Sequence, residues 1–309
     1  MHSRRARASW SEPTWGYRMT DPTAVDQLRL SDHVCWTFDD DDRCAAAVAR
    51  YVGAGTRDGH RVIYSAPEVP RADIAARLTA HGVHVAALVA TGQLQIVTVP
   101  DTYLTGGEFR PSSVREGWTR RLDEARAAGY RGVRLVADRS WLAGSVAGAH
   151  RVAWYEALAN QVFADGYAMG LCLYDRRLFP PPALRGICSA HPATYRADND
   201  RWSPLLRMVR TVDPPGLRLV GEVDVSNRRA VAALLNGLFE EPGAAGEPLV
   251  VDVSDLSFAD APTATLFVRA AQASPAGLVL WGCSAPLAHM IAMVPGRHAD
   301  GRLRIVPTG

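Results

Sequence analysis

The fold is decided by the stretch Ser31-Asp-His-Val-Cys-Trp-Thr-Phe-Asp-Asp-Asp-Asp-Arg43. Its first half alternates around Val34, Trp36 and Phe38, a two-residue period that is typical of a buried strand. Residues 43–54 follow with a helical period. A strand that runs into a helix often binds phosphate at the helix start, but the turn here has neither glycine nor lysine. The four carboxylates at residues 39–42 would repel a polyphosphate, so the chain is not a P-loop ATPase.

The alternation of strand and helix continues to residue 175. Further strands are predicted at residues 60–65, 92–98, 132–138 and 167–175, and helices at 71–81, 112–128 and 150–165. Strands that alternate with helices of this length predict an α/β fold with a doubly wound, mostly parallel sheet. Ligands on such sheets bind at the carboxyl ends of the strands.

This rule selects candidate ligand-binding residues after the first, fourth and fifth strands: Thr37, Asp39, Asp138, Trp141, Tyr174 and Asp175. His33 and Cys35 lie earlier on the first strand and Cys172 at a matching depth on the fifth, and they are further candidates. Glu156 and Asn160, one turn apart on a predicted helix, could point into the same site or into solvent. His191 closes the region, and it would meet the cysteines if the first and fifth strands are neighbours.

Several of these residues also have a purely structural interpretation. A buried cysteine is often a small hydrophobic side chain, and a histidine on a core strand often makes only hydrogen bonds. Zinc could be bound by His33, Cys35, Cys172 and His191, but His-x-Cys is not a metal signature by itself, so we predict no metal and no cofactor. Arg139 could bind an anionic ligand or form an ordinary ion pair.

Composition sets the class of protein. A chain of 309 residues has room for two domains, and a formal net charge of +2 gives no reason to expect a nucleic-acid partner. The five cysteines are odd in number and lack C-x-x-C spacing, which favours a reducing compartment, and we expect the cytoplasm. No apolar run approaches the roughly 20 residues that span a bilayer, so we predict no membrane contact.

The predicted domain organisation has four parts. Residues 1–27 are expected to be poorly ordered, with Met19 as an alternative start, and residues 28–196 form the first domain. The polar, turn-rich residues 197–204 form a linker, and residues 205–309 form a second α/β domain.

A set of spaced motifs in the first domain resembles the MEDS family of bacterial and archaeal sensory modules. The motifs are His33-x-Cys35, Gly92-Gln-Leu-x-Ile-Val-Thr98, Gly129-Tyr-Arg-Gly132, Tyr155-Glu156, Cys172-x-Tyr-Asp175 and His191-Pro192. The resemblance implies a RecA-like core without a working nucleotide site, and a role in sensing a small molecule. The family usually has a glutamate before the tryptophan of the fourth-strand loop, whereas this chain has the shorter Asp138.

The second domain resembles the STAS family, which contains the bacterial anti-sigma factor antagonists. The similar segments are Leu219-x-Gly-Glu-Val-Asp224, Val250-Val-Asp-Val-Ser-Asp-Leu256 and Phe258-Ala-Asp260, followed by a helix. The resemblance implies that an ATPase-type anti-sigma factor contacts the loop before that helix. The contact and switch residues are then Asp224, Asp260, Ala261, Pro262 and Thr263.

The family's Asp-Ser-Ser-Gly is replaced here by Asp260-Ala-Pro-Thr263. Pro262 stands where the family has its phosphorylated serine, and proline has no hydroxyl group, so the usual phosphorylation is excluded at this position. Thr263 or Thr265 could take its place, but the interpretation that we favour is that their hydroxyls satisfy backbone groups at the helix start.

We therefore predict a cytoplasmic signalling regulator in which the first domain senses a small ligand or a redox state and the second contacts a protein partner. We predict no enzyme activity, because the sequence has no nucleophile elbow, metalloprotease motif or dinucleotide loop. Two alternatives stay open: a scaffold subunit of a STAS-domain complex, and a metal- or thiol-dependent enzyme at His33, Cys35 and Cys172. The predicted partners are an ATPase-type anti-sigma factor, an unidentified small molecule and, in a homodimer, a second copy of the chain.

Overall fold

A parallel sheet with helices on both faces forms the first half of the chain. The computed structural model describes residues 22–67, 70–195, 205–241, 246–295 and 301–308. In chain order the elements of this half are β1 (His33–Phe38), α1 (Asp41–Arg57), β2 (Arg61–Ala66), α2 (Arg71–Ala80), α3 (Val85–Ala90), β3 (Leu94–Thr98), α4 (Val99–Thr102), β4 (Leu104–Thr105), β5 (Glu108–Phe109), α5 (Pro111–Ala127), β6 (Val133–Asp138), α6 (Val152–Ala164), β7 (Ala168–Asp175), α7 (Pro181–Cys188) and β8 (Ala193–Tyr195). Short 3-10 helices lie at Pro22–Gln27, Ser140–Ala143 and Ala149–Arg151.

The main sheet has six strands in the order β3-β2-β6-β7-β1-β8, and every neighbouring pair is parallel. This topology confirms the predicted α/β class. The first and fifth predicted strands, β1 and β7, are neighbours, with His33 opposite Gly170 and Cys35 opposite Cys172. Residues of β1 and β7 are therefore placed side by side, as the convergence of the candidate residues requires.

The two faces of β1 belong to two different cores. Val34 and Trp36 pack with the buried side of α1, whereas Cys35 packs in a second core with side chains of α5 and α6. This arrangement follows from the two-residue period of a strand, because successive side chains point to opposite faces. The face that carries His33 and Cys35 is thus the α5/α6 face.

The acidic turn after β1 caps a helix and forms ion pairs. Asp40 is the N-cap of α1, and its side chain accepts a hydrogen bond from the backbone N–H of Arg43. Asp39 pairs with Arg176 and Asp41 with Arg177, both just after β7. The carboxylates therefore occupy the helix start where a phosphate loop would bind its anion.

The second half of the chain builds a smaller mixed sheet. Its elements are β9 (Leu206–Val212), β10 (Pro215–Val223), α8 (Arg228–Phe239), β11 (Leu249–Ala259), α9 (Ala261–Ala273), β12 (Leu278–Cys283), α10 (Ala285–Ala292) and β13 (Leu303–Pro307). The strand order is β13-β12-β11-β10-β9, and all pairs are parallel except β9 with β10. Its core consists of side chains of this half, with Ala164 of α6 as the only buried contribution from the first half among the described residues.

The two halves are in direct contact. Helix α6 of the first half packs against α8 of the second. Arg207 Nε lies 2.9 Å from Oδ1 of the buried Asp32, and Asn227 Nδ2 donates a 3.2 Å hydrogen bond to the Pro192 carbonyl. The predicted linker at residues 197–204 lies outside the described residues.

The N-terminal segment departs from the prediction in part. Residues 22–27, expected to be poorly ordered, form a 3-10 helix against α1, and Val25 is only 1% exposed because it packs in the same core as α1. The remainder of that prediction, at residues 1–21, lies outside the described residues. In the part of the chain that the structure describes, no helix is both long and apolar enough to cross a membrane.

Candidate functional site

Four buried side chains from different parts of the first half meet on the α5/α6 face of the sheet. His33 comes from β1, Glu156 from α6, Cys172 from β7 and His191 from the turn before β8. Each offers one ligand atom, and the four atoms lie within 4.8 Å of one another. We call these four residues the cluster. All of them are at most 1% exposed.

Glu156 is the centre of the cluster. Its Oε2 lies 3.4 Å from His33 Nε2 and 3.6 Å from His191 Nε2. Its other oxygen, Oε1, accepts a 2.7 Å hydrogen bond from the Tyr174 hydroxyl and lies 2.9 Å from Arg139 Nε. A carboxylate with this many partners stays charged in the core, where an unpaired charge would be costly.

The two histidines are held in place through their Nδ1 atoms. His33 Nδ1 lies 2.9 Å from Asn160 Oδ1, and His191 Nδ1 lies 2.9 Å from the Ile187 carbonyl. The Asn160 amide nitrogen donates to backbone carbonyls, so its oxygen is left to accept from His33. Both rings therefore donate from Nδ1 and present Nε2 to the cluster.

Burial and mutual charges shift the pKa of Glu156 and of both histidines. Burial raises the pKa of Glu156, but the Arg139 guanidinium and the two histidines outweigh burial and hold it well below its usual range. Burial lowers the pKa of His33, yet Cys172 and Glu156 raise it overall to about 9. Burial and the charge on His33 lower the pKa of His191 to about 3. The cluster thus keeps one histidine charged and the other neutral.

Arg139 forms the ion pair that was one of its two predicted roles. It is 2% exposed, and its guanidinium lies 4.2 Å from the ring centre of Tyr103 and 5.6 Å from that of Tyr155. Its Nη2 is 3.8 Å from Cys172 Sγ. Arg139 therefore closes one side of the cluster.

Little space remains beside the cluster. A cavity of about 20 Å³ is lined by His33 and Glu156 of the cluster and by Arg139 and Tyr155, among others, but not by Cys172 or His191. This volume is about that of one water molecule or ion. The arrangement can hold a proton or a small cation, whereas an organic molecule does not fit.

Cys35 and Thr37 are on β1 but outside the cluster. Cys35 Sγ lies 3.7 Å from Cys188 Sγ, and burial together with Cys188 raises the pKa of Cys35 well above its ordinary value. The Thr37 hydroxyl donates to the Tyr195 carbonyl. The set that the structure brings together therefore has Glu156 in the place of Cys35 in the set considered for zinc in the sequence analysis, where no metal was predicted.

The remaining predicted residues of the first half have separate partners. Asp138 accepts from the backbone N–H of Ser140, and Asp175 pairs with Arg177, which lowers the pKa of Asp175. Trp141 packs on Tyr103 and the neighbouring aromatic rings. These residues lie around the site rather than in the cluster.

Two aromatic residues of the site were not predicted from the sequence. Phe163 stacks on His33 with ring centres 4.4 Å apart, and Tyr103 lies under Arg139. Phe163 follows Asn160 by three residues, so its position on the same helix face was a usable signal. Tyr103 follows the short helix α4 and had no periodicity to identify it.

The predicted contact residues of the second half surround the start of α9. Asp260 is the N-cap of α9, and its Oδ1 accepts from the backbone N–H and the hydroxyl of Thr263. Arg228 pairs with Asp260 and donates to the Thr263 hydroxyl. Ala261 and Pro262 are exposed, whereas Thr263 is fully buried. The hydroxyl of Thr263 therefore satisfies groups at the helix start, as favoured above.

Asp224, the remaining predicted contact residue, lies in the turn before α8. Its backbone N–H donates to the Asn227 side-chain oxygen, and its carboxylate accepts from Ser226. A groove of about 680 Å³ runs between α8 and α9 past Arg228, Ala261 and Pro262. Asp224 is thus on the same end of α8 as the α9 start.

Comparison with solved structures gives distant similarities. The KaiC-like protein PH0186 from Pyrococcus horikoshii is 13% identical, with a TM-score of 0.39 over 58% of this chain and 77% of that one. The flagellar accessory protein FlaH from Methanocaldococcus jannaschii is 9% identical, with a TM-score of 0.40 over 66% of this chain and 82% of that one. PH0250 from Pyrococcus horikoshii is 8% identical, with a TM-score of 0.35 over 64% and 90% of the two chains. No curated protein matches the chain.

Comparison with family models assigns the first half of the chain to a known family. The model described as MEDS, the methanogen/methylotroph, DcmR sensory domain, matches residues 32–192. That range contains β1 to α7 and all four residues of the cluster. Because the match covers more than half of the chain, this protein belongs to the MEDS family and carries a sensory domain.

Proposed function

We propose that the protein is a cytoplasmic signalling regulator. Its MEDS domain senses a small ligand or a redox state, and its second half transmits the change to a protein partner. The family supports the sensory role. The single observation that carries the proposal is a chain of contacts from the cluster to the start of α9. His191 belongs to the cluster, and the carbonyl of the next residue, Pro192, accepts from Asn227.

Asn227 is the relay in this proposal. It is 1% exposed and precedes α8, so a movement of the His191 turn would reach the α8 start directly. The next residue, Arg228, contacts both Asp260 and Thr263 at the start of α9. Side chains linked by hydrogen bonds and ion pairs can transmit such a change when they have two arrangements.

The small molecule of the proposal would sit beside the cluster. A cavity of about 530 Å³ lies between α5, α6 and α8 and is lined by Trp118, Trp154 and Tyr155 of the MEDS domain. Arg229 and Asn236 of the second half complete its wall. Its size and its position between two units are those of a small-molecule site. Tyr155 contacts Arg139, so an occupant would touch the wall of the cluster.

A redox signal is a second candidate that one observation favours. Cys35 and Cys188 are buried with their sulfur atoms 3.7 Å apart, and a disulfide needs about 2.05 Å. Formation of that bond would need an external two-electron oxidant such as hydrogen peroxide, which would take up the two electrons and two protons and leave as two water molecules. The raised pKa of Cys35 disfavours the thiolate form, so this thiol would react slowly both in disulfide formation and as a nucleophile.

For the second half we propose a STAS-like unit that contacts an ATPase-type anti-sigma factor at the α9 start. Pro262 replaces the serine that such a partner would phosphorylate, and Thr263 is buried behind it. The contact would then be controlled by the MEDS domain instead of by phosphorylation. A homodimer is compatible with this proposal.

The experiment is a binding assay of the full chain against the host's ATPase-type anti-sigma factors. Ala261→Arg places a large charged side chain on the exposed start of α9, and we expect it to abolish binding. Ala72→Arg is the matched control, since Ala72 is equally exposed in the first turn of α2. Absence of binding to every such ATPase, or equal binding by both variants, would contradict the proposed partner surface.

A further inference from the structure

Four of the six distances between the ligand atoms of the cluster are close to those of a tetrahedral metal site, and all six are within 4.8 Å. His33 Nε2 is 3.4 Å from both Cys172 Sγ and Glu156 Oε2. Glu156 Oε2 is 3.6 Å from His191 Nε2 and 3.9 Å from Cys172 Sγ. Ligand atoms about 2.0–2.3 Å from a zinc ion at the corners of a tetrahedron lie about 3.3–3.8 Å from one another.

The surroundings of the histidines are those of metal ligands. Metal-bound histidines almost always donate their second ring N–H to a carbonyl or carboxylate, which fixes the ring and its tautomer. His33 does so to Asn160 and His191 to the Ile187 carbonyl. Both rings therefore direct Nε2 toward the same point.

One atom of the cluster lacks a partner that an ion would supply. His191 Nε2 is fully buried and has no hydrogen-bond partner among the residues that the structure describes. A buried polar atom without a partner is costly, and each such atom in a folded protein needs an explanation. A cation at the centre of the cluster would supply His191 Nε2 with a partner.

We propose that His33, Glu156, Cys172 and His191 bind one divalent transition-metal ion of the zinc class in a closed tetrahedral site. Two nitrogens, one oxygen and one sulfur form a donor set that suits zinc, and all four positions are filled by the protein, as in structural zinc sites. This inference rests on the proposed function, in which the cluster belongs to the sensing site, and it names the ion that the cluster binds.

The charge of the core is compatible with this ion. Any proton on a ligand atom would leave when the ion binds, because metal ligands must be deprotonated. The Arg139 charge stays paired with Glu156, whose Oε1 faces Arg139 while Oε2 faces the centre of the cluster.

The test is native mass spectrometry of the full chain, stripped with a chelator and refolded with Zn²⁺. We expect one zinc ion per chain in the wild type and none in Cys172→Ser. The matched control is Cys35→Ser, since Cys35 is a buried cysteine directly opposite Cys172 in the sheet but outside the cluster, and we expect it to keep the ion. A wild type without zinc, or a Cys172→Ser protein that still holds one ion, would overturn the proposal.

A spectroscopic measurement on the wild type covers the case in which Cys172→Ser fails to fold. With Co²⁺ in place of Zn²⁺, a tetrahedral site with one thiolate gives intense visible bands and a sulfur-to-cobalt charge-transfer band. We expect both at one equivalent of Co²⁺, and we expect Asn160→Ala to weaken Co²⁺ binding roughly 10–100-fold through the loss of its bond to His33. Weak octahedral bands, or unchanged affinity in Asn160→Ala, would contradict the site.

The outcomes separate this inference from the proposed function. If zinc binds as expected but the partner assay gives the same affinity for metal-free and zinc-loaded protein, the metal site stands and its signalling role fails. If no zinc binds while the partner assay depends on Asn227, the proposed function stands and the metal site fails.

Discussion

At the scale of single residues, the buried cluster of His33, Glu156, Cys172 and His191 depends on one carboxylate, that of Glu156. Glu156 is fully buried and contacts a guanidinium, a phenol and two imidazoles. A buried charge of this kind is tolerated only when all its partners are present. Substitution of Glu156 should therefore cause a large loss of stability.

We expect Glu156→Gln to lower the free energy of unfolding by about 3–5 kcal/mol in chelator-treated protein, because it leaves Arg139 buried without its counter-charge. Urea denaturation followed by circular dichroism measures this. Asp39→Asn is the control; its pair with Arg176 is partly exposed, and we expect a loss of at most about 1 kcal/mol. Equal losses for the two variants would show that the Glu156 pair is not important for stability.

His60 gives a pH dependence away from the cluster. Burial, together with Arg134, lowers the pKa of His60 from its model-peptide value of 6.5. A base with a lowered pKa in the folded state takes up its proton on unfolding, so its contribution is complete above pH 6.5 and is lost as the pH falls below that value.

We therefore expect the wild type to lose more stability than His60→Gln between about pH 7.5 and about pH 5.5, as measured by urea midpoints. The difference between the two proteins isolates His60 from the other titrating groups. A smaller loss in the wild type than in the variant would mean that the pKa of His60 is raised instead of lowered.

At the scale of elements, β1, β7 and α6 must approach closely to form the cluster. Gly170 on β7 makes this approach feasible, since a Cβ atom there would lie 2.6 Å from the Phe163 ring and 3.2 Å from His33 Cδ2. Phe163 in turn stacks on His33. The position of one cluster residue is thus set by the absence of a side chain on the neighbouring strand.

We expect Gly170→Ala to destabilise the fold by about 1–3 kcal/mol, because overpacking displaces the Phe163 and His33 rings. Thermal unfolding reports the change. Gly186→Ala in α7 is the control, because no atom lies within 4 Å of the added methyl group and a helix favours alanine. Gly170→Ala with wild-type stability would contradict the close packing of these elements.

The elements that were predicted from the sequence are those with a clear period. Strands β1, β2, β3, β6 and β7 and helices α1, α2, α5 and α6 follow from alternating and helical spacing, whereas the short helices α3 and α4 were not predicted. The motif residues His33, Cys172 and His191 meet because β1 and β7 are neighbours. The position of Cys35 could not be predicted in this way. Its contact, Cys188, ends the short helix α7, and helices and strands this short have too few residues to show a period.

At the scale of the whole molecule, the contact between the two halves was outside the reach of sequence periodicity. Asp32 is 3% exposed in the MEDS domain, and its counter-charge, Arg207, comes from the second half. A pair of this kind joins residues far apart in sequence and leaves no local pattern. The contact between the two halves therefore becomes evident only from the structure.

We expect Arg207→Gln to cost about 1–3 kcal/mol, because it leaves the buried Asp32 carboxylate with fewer hydrogen bonds. Chemical denaturation with probes in each half also tests whether they unfold together, and we expect a single transition in the wild type. Arg218→Gln removes an exposed pair with Asp255 and is the control, with a loss of at most about 1 kcal/mol. A larger loss in the control would contradict this account of the interface.

Amide hydrogen exchange of the full chain tests whether the cluster in the MEDS domain is connected to the start of α9. We compare the wild type with His191→Gln, and we use His84→Gln, a change at an exposed histidine, as the control. We expect faster exchange at residues 224–231 and 261–266 in His191→Gln, and exchange equal to the wild type at these residues in His84→Gln. Faster exchange confined to residues 28–195 would contradict the connection and leave the second half independent of the sensory site.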